Sequence, residues 1–195
     1  MLVFTPSLAD LPFRGNRNYL HSTDLYPALT EFAHQQFSAD AFIESLTIRR
    51  AASHQPWVSF DISDEAFGSF CIRHSRNKTQ GWLIESEAPI ASRIPFDEVT
   101  AMRAAISGPG FALFKDLPPK YSSFELLIIL TKIVSSQEGP GHWWLCRIDL
   151  SSPLLNVAPL ECRLNRKTAG RFLTFKIRQA GRAIASITGI SGAEI

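Results

Sequence analysis

Histidine and cysteine are the side chains best able to move protons or attack carbon near neutral pH. The chain holds five histidines and three cysteines, so their spacing is the first test of its chemistry. No two histidines stand at HxH or HExxH spacing and there is no CxxC, so no bound metal is expected. His34 falls beside Gln35 and Gln36 on a helical stretch and reads as solvated, while His54, His74 and His142 fall in turns or at strand ends. Cys71, Cys146 and Cys162 lie inside apolar alternating runs and read as small buried residues of a reducing compartment. A cytoplasmic location is therefore expected. No GxSxG elbow is present, and Gly108-Pro109-Gly110 and Gly139-Pro140-Gly141 are turn glycines rather than a phosphate-cradling GxxxxGK loop. No resident cofactor is expected. Basic residues gather at Arg14 and Arg17, at Arg73, Arg76 and Lys78, and at Arg163, Arg166, Lys167 and Arg171. The plain reading of each group is a solvated turn.

The chain can bury a core: 45% of its 195 residues are hydrophobic and 19% are charged, which fits one large domain or two small ones. Its net charge is only +2, and its aromatic residues occur in apolar strands rather than among the charges. Nucleic acid is not the expected partner. The N-terminal MLVFTPSLADLPFRGNRN lacks a basic start followed by a long apolar stretch, so no signal peptide is expected. The longest apolar block, 124–134, contains Glu125, Thr131 and Lys132 and is too short to span a bilayer.

The same order of elements is read twice. A short strand at 2–4 leads through a polar loop to a helix at 22–37. Ser22 and Thr23 are the expected N-cap residues, and Asp24 complements the helix dipole. Leu25, Ala28, Leu29, Phe32 and Ala33 form its apolar stripe. Strands follow at 42–52, 57–63, 67–74 and 81–92, with a hairpin turn over 75–81. A linking helix is predicted over 97–106. A strand at 111–114 and a helix at 123–137 then lead to strands at 143–152, 157–165, 171–179 and 182–190, with a turn at Asn165-Arg166-Lys167. Residues 22–37 match 123–138 at Ser22/Ser123, Leu25/Leu126, Leu29/Leu130, Thr30/Thr131 and Gln36/Gln137. SFCIRH at 69–74 fits TFKIRQ at 174–179, and Ile84, Ser86 and Ile90 fit Ile184, Ser186 and Ile190. One offset near a hundred residues serves all three, as a duplication would produce. The second helix is apolar nearly all round, which requires that it be enclosed.

This order resembles the hotdog fold, and two in one chain resemble its tandem, double-hotdog arrangement. The implied class is α+β, with two central helices each wrapped by a curved antiparallel sheet. The implied boundaries are 1–95 for the first half, 96–110 for a linker and 111–195 for the second half, related by a pseudo-two-fold axis. The segment NRNYLHSTDLYPALTEFA at 16–33 resembles the loop-into-helix segment of small acyl-CoA thioesterases. The chain departs from the family in lacking the HxxGxPxxPG loop of dehydratases and an aspartate-rich hydratase signature.

The resemblance implies an acyl-thioester-handling protein, thioesterase-like or dehydratase-like, acting on acyl-CoA or acyl-carrier protein. The alternative is a non-catalytic acyl-binding or assembly module on the same scaffold. It directs attention to the two corners where a loop enters a helix, because a helix N-terminus offers free N–H groups to a thioester carbonyl. A carboxylate there can activate water or act as nucleophile. The candidates are Asp24 with His21 in the first half, and Glu125 with Tyr121 before it in the second. Two structural readings stay open: Ser122 to Glu125 is also a capping box, and Asp24 complements a dipole. Arg76, Lys78, Arg166 and Lys167 become candidates for the phosphates of coenzyme A or for an acidic carrier protein. The implied assembly is a monomeric pseudo-dimer or a homo-oligomer.

Overall fold

A computed structural model describes residues 8, 10–139, 143–169 and 171–191. The strand expected at 2–4 and His142 lie outside the described residues. The chain forms two compact units, 1–96 and 97–195. Both are α+β, and the larger sheet of each is antiparallel.

The first unit contains β1 (Phe13–Arg14), α1 (Ser22–Gln36), β2 (Phe42–Ile48), β3 (His54–Ser59), β4 (Gly68–His74), β5 (Asn77–Pro89) and β6 (Arg93–Ile94). Its sheet runs β3-β5-β4-β2, all antiparallel. Alternation places Phe70 and Ile72 of β4 in the core while Cys71 and Arg73 stay partly exposed. α1 packs against β2 through a stripe in which Leu25, Leu29, Phe32 and Ala33 are buried. Ala28 is only half-buried, at the border with the exposed Pro27 and Glu31. Pro56 sits within β3, which begins at His54 and not at the expected residue 57. That strand lies at the edge of the unit's own sheet, where a missing N–H leaves few ladder bonds unmade.

The second unit contains α2 (Glu98–Ala104), β7 (Ile106–Gly108), β8 (Phe111–Phe114), α3 (Ser123–Ser136), β9 (Trp143–Leu150), β10 (Leu160–Thr168), β11 (Phe172–Gln179) and β12 (Arg182–Ser191). Its sheet runs β9-β12-β11-β10-β8-β7. α3 packs on β8, β9, β10 and β11, with α2 beside it. Leu126, Leu127, Ile128, Ile129, Leu130 and Val134 are all nearly inaccessible. Ile133 is only half-buried, because it borders the open strip of Glu125, Lys132 and Ser136.

The order of elements repeats along the chain, but the order of strands across the sheet does not. In the second unit only three residues separate β10 from β11, and the two strands pair as a hairpin. In the first unit the longer 60–67 connection frees β4 from β3, and β4 pairs with β2 instead. Two hairpin turns also differ from expectation. The first is the tight Ser75-Arg76 turn, with Ser75 at φ 52, so Asn77 to Gly81 belong to β5. At the second, β10 runs on to Thr168, so Arg166 and Lys167 belong to it. Polar composition suggested turns there, but both runs are strands with a solvent-facing side.

Candidate functional site

The corner at the start of α1 is assembled from three stretches of the first unit. β1 pairs in parallel with β6, Phe13 opposite Arg93 and Arg14 opposite Ile94. The Arg93 guanidinium donates to the carbonyls of Gly15 (2.6 Å) and Arg17 (2.7 Å) and to Asn18 Oδ1 (3.0 Å). Gly15 turns the chain at φ +57, a left-handed conformation that costs glycine nothing. The turn sends Arg14 back toward the helix, where its guanidinium stacks 5.3 Å from the Phe96 ring and binds the Asp24 carboxylate.

His21, not Ser22 or Thr23, is the N-cap. Its Nδ1 accepts from the Thr23 amide at 3.4 Å and lies 2.9 Å from Thr23 Oγ1. An Nδ1 that accepts from an amide places the proton of a neutral imidazole on Nε2. Asp24 closes the box by accepting from the His21 amide at 3.2 Å. The Asp24 side chain is 1% exposed. Burial pushes its pKa up, against the hydrogen bond and charge of Arg14, the His21 amide and the charge of Arg17. The Ser22 hydroxyl, at the first helical residue, is buried and has no hydrogen-bond partner among the described residues. The structure thus brings His21 and Asp24 together and adds Arg14 and Ser22.

The corresponding corner of the second unit is closed by its own chain. Glu125 caps α3, accepting from the Ser122 amide at 2.6 Å and its hydroxyl at 2.8 Å. The Ser123 hydroxyl donates to the Leu155 carbonyl at 2.8 Å. The Gln179 side chain holds the same loop through the Leu155 amide and the carbonyls of Leu155 and Val157. The Tyr121 hydroxyl donates to the Asp97 carbonyl at 2.7 Å.

The candidate phosphate ligands are unequal. Lys78 and Arg73 both bind Glu44, holding its carboxyl below the usual range, although burial opposes them. Arg76 is exposed at the hairpin tip. Lys167 donates to the Glu138 carbonyl at 3.0 Å and lies 3.3 Å from its carboxylate, while Arg166 is exposed on β10. His54 is exposed near Glu85, and His74 stacks on Phe37 with ring centroids 4.3 Å apart. Among the described residues no three His, Cys, Asp or Glu side chains are grouped to hold a metal ion. No helix among them is long and apolar enough to cross a membrane.

Arg14 and Ser22 were not legible as site residues. Arg14 lies ten residues before Asp24, at no helical or strand spacing, and reaches it only through the Gly15 turn. Ser22 looks like a cap, and its lack of a partner follows from His21 taking that role.

No family pattern matches the chain, and no curated protein matches it. Solved structures of similar outline include a putative thioesterase II from Thermobifida fusca, at 11% identity and TM-score 0.49 over 91% of this chain and 88% of that one. The dehydratase domain of PpsC from Mycobacterium tuberculosis, in complex with C12:1-CoA, is similar at 10% identity and TM-score 0.48, over 94% and 87%. The dehydratase domain from the CurK module of curacin polyketide synthase is similar at 12% identity and TM-score 0.49, over 96% and 86%. These neighbours are hotdog-fold proteins.

Proposed function

We propose that this protein handles acyl thioesters, carried by coenzyme A or an acyl-carrier protein, with the reacting carbonyl at the start of α1. The observation that carries the reading is the buried, unpartnered Ser22 hydroxyl at the first residue of a 15-residue helix, beside His21 and Asp24. A helix start presents amides that no intrahelical carbonyl satisfies, and a buried hydroxyl beside them adds a donor for a developing oxyanion. In hydrolysis, water adds to the thioester carbonyl and passes a proton to the Asp24 carboxylate, and the sulfur leaves with that proton as the thiol, while the His21 Nε2–H donates to the developing oxyanion. Arg14 keeps the corner rigid and sets its charge. A dehydratase-like reaction would use the same acid–base pair on a hydroxyacyl group.

The proposed architecture is a double hotdog, with halves at 1–95 and 111–195 joined through 96–110 and each helix central to its sheet. It is supported by the repeated element order and the helix match. The differing strand order in the first unit marks where the halves diverged. The second corner, with Glu125 spent on Ser122, belongs to the structural half of the pair. The three free cysteines suit a reducing, cytoplasmic setting.

A second reading, a non-catalytic acyl-binding module, is favoured by one observation. The Asp24 oxygens already serve Arg14 and the His21 amide. A panel of acyl-CoA substrates of increasing chain length, read for free thiol and for thermal shift, separates the two. Asp24→Asn and His21→Asn should lower turnover by about 10²–10⁴-fold, the range for lost acid–base catalysis. Glu125→Gln should leave turnover within about threefold while costing ~1 kcal/mol of capping. Stabilisation by acyl-CoA without turnover selects the binding module, and no response to any chain length removes both readings.

A further inference from the structure

We propose that the face of the second unit's sheet turned away from α3 is a docking surface for an acidic amphipathic helix on a partner protein. Between Trp143 and Ser191 the chain carries eight basic side chains and only two acidic ones, Asp149 and Glu161. Both acids are already paired with neighbours on their own strands, Arg147 and Arg163. The excess charge is not scattered. Residues buried on β11, Leu173, Phe175 and Ile177, point toward α3, which leaves Phe172, Thr174, Lys176 and Arg178 on the opposite face.

Register turns that face into rows. Trp144, Ile190 and Phe172 stand opposite one another on β9, β12 and β11 and make an apolar row, with Phe172 44% exposed. The next row is Arg147, Thr188, Thr174 and Arg166, with a cation at each end. Beyond it Lys176 stands directly opposite Arg163. Like charges placed opposite each other destabilise a sheet. Neither Lys176 nor Arg166 has a counter-ion among the described residues. A fold has no structural use for Lys176 and Arg166 left unneutralised on one face, whereas an anionic surface laid across them would neutralise both.

The dimensions select a helix. Crossing from β9 to β10 spans three strand spacings, about 14 Å, which an α-helix covers in about ten residues. Adjacent rows are about 7 Å apart, the separation of stripes on one helix. A helix lying along the rows would set an apolar stripe on Trp144, Ile190 and Phe172, and carboxylates against Arg147, Arg166 and Lys176. This inference stands apart from the α1 corner and does not need that corner to be catalytic.

The test uses the full chain and a fluorescein-labelled, 16-residue helical peptide with Glu on one stripe and Leu on the next. Anisotropy should show saturable binding that weakens at least tenfold between 50 and 300 mM salt, as charge pairing requires. R166E/K176E should weaken it at least tenfold with an unchanged circular-dichroism melt, while K120E, on an exposed residue of another segment, should not. If the Glu variant melts early, R166Q/K176Q replaces it and should weaken binding at least threefold. Equal binding of a peptide of scrambled sequence, or undiminished binding by the variants, would overturn the proposal. Tighter binding of a 15-nucleotide dT oligomer would overturn it too, in favour of a nucleic-acid surface.

Discussion

Arg14 and Asp24 offer the most informative perturbation, because one partner can escape its loss and the other cannot. Replacing Arg14 by Met leaves a carboxylate whose side chain is 1% exposed without its bonded guanidinium, with the charge of Arg17 still near it. Burying an unpaired charge costs several kcal/mol, but a carboxylate can protonate instead. Taking up a proton at pH 7 from the ordinary value of 3.8 costs about 1.4 kcal/mol per pH unit, or about 4 kcal/mol. That is the ceiling for the Asp24 part of the loss, and we expect Arg14→Met to cost about 3–4 kcal/mol at pH 7. The same argument makes the cost shrink by up to about 1.4 kcal/mol for each pH unit lowered, leaving less than about 1 kcal/mol near pH 4.

The sign can be checked on the unaltered protein. Burial already holds the folded pKa of Asp24 above its unfolded value. Its contribution to stability is therefore fully present below about pH 3.8 and is lost as the pH rises through the folded pKa. Arg14→Met enlarges that dependence. Asp24→Asn abolishes it, and costs about 2–4 kcal/mol at pH 7 by leaving a guanidinium that is 15% exposed without its anion. The double variant should recover at least about 1 kcal/mol of the summed losses. Urea titration followed through tryptophan fluorescence at pH 4.5, 5.5 and 7 measures all three. An Arg14→Met loss that is the same at pH 4.5 and 7, or a coupling below about 0.5 kcal/mol, would refute the buried-pair reasoning.

Leu130→Ala removes three carbons from a fully buried side chain on α3 and should cost about 2–5 kcal/mol in the same titration. A loss below about 0.5 kcal/mol would place that residue at the surface. Gly81 lies directly opposite Phe70, and a Cβ there would meet the ring at 2.4 Å. Gly81→Ala should therefore cost about 1–3 kcal/mol, the usual price of overpacking, and Phe70→Leu in the Gly81→Ala background should recover part of it.

Periodicity made the helices legible. A 3.6-residue apolar stripe and the Ser122 to Glu125 box specify α1 and α3 to within a residue or so. Strand pairing was less legible, because which strands meet depends on connection length and on edges. The strand expected at 57–63 is β3 at His54–Ser59, which takes in Pro56 at its sheet's edge. Gly81 read as turn punctuation, yet it is the floor beneath Phe70. The basic runs at 76–78 and 166–167 read as turns because composition records polarity and not which side of a strand it faces. The site was half legible for a related reason. His21 and Asp24 are three residues apart and meet through local helix geometry, whereas Arg14 meets Asp24 only after β1 has paired with β6, eighty residues along the chain.

That long-range pairing bears on what the corner can do. A carboxylate at a helix start is held by local bonds whether or not it has a task, and Glu125 is held in that way. Asp24 is held by something more costly: a guanidinium brought out of water from β1, a glycine turn beyond it, and an Arg93 clamp on three oxygens of the connecting loop. A cap alone is worth about 1 kcal/mol and requires none of this. The burial of a paired charge is at best a weak source of stability, since a well-packed apolar substitute often does as well. The same arrangement leaves the Ser22 hydroxyl buried without a partner, which a scaffold under selection for stability alone would satisfy or remove. A fixed carboxylate, an oriented imidazole and a waiting hydroxyl at one helix start are unfavourable items for a fold and useful ones for a site. That contrast between the α1 and α3 corners is the physical ground for proposing the first, and not the second, as the site.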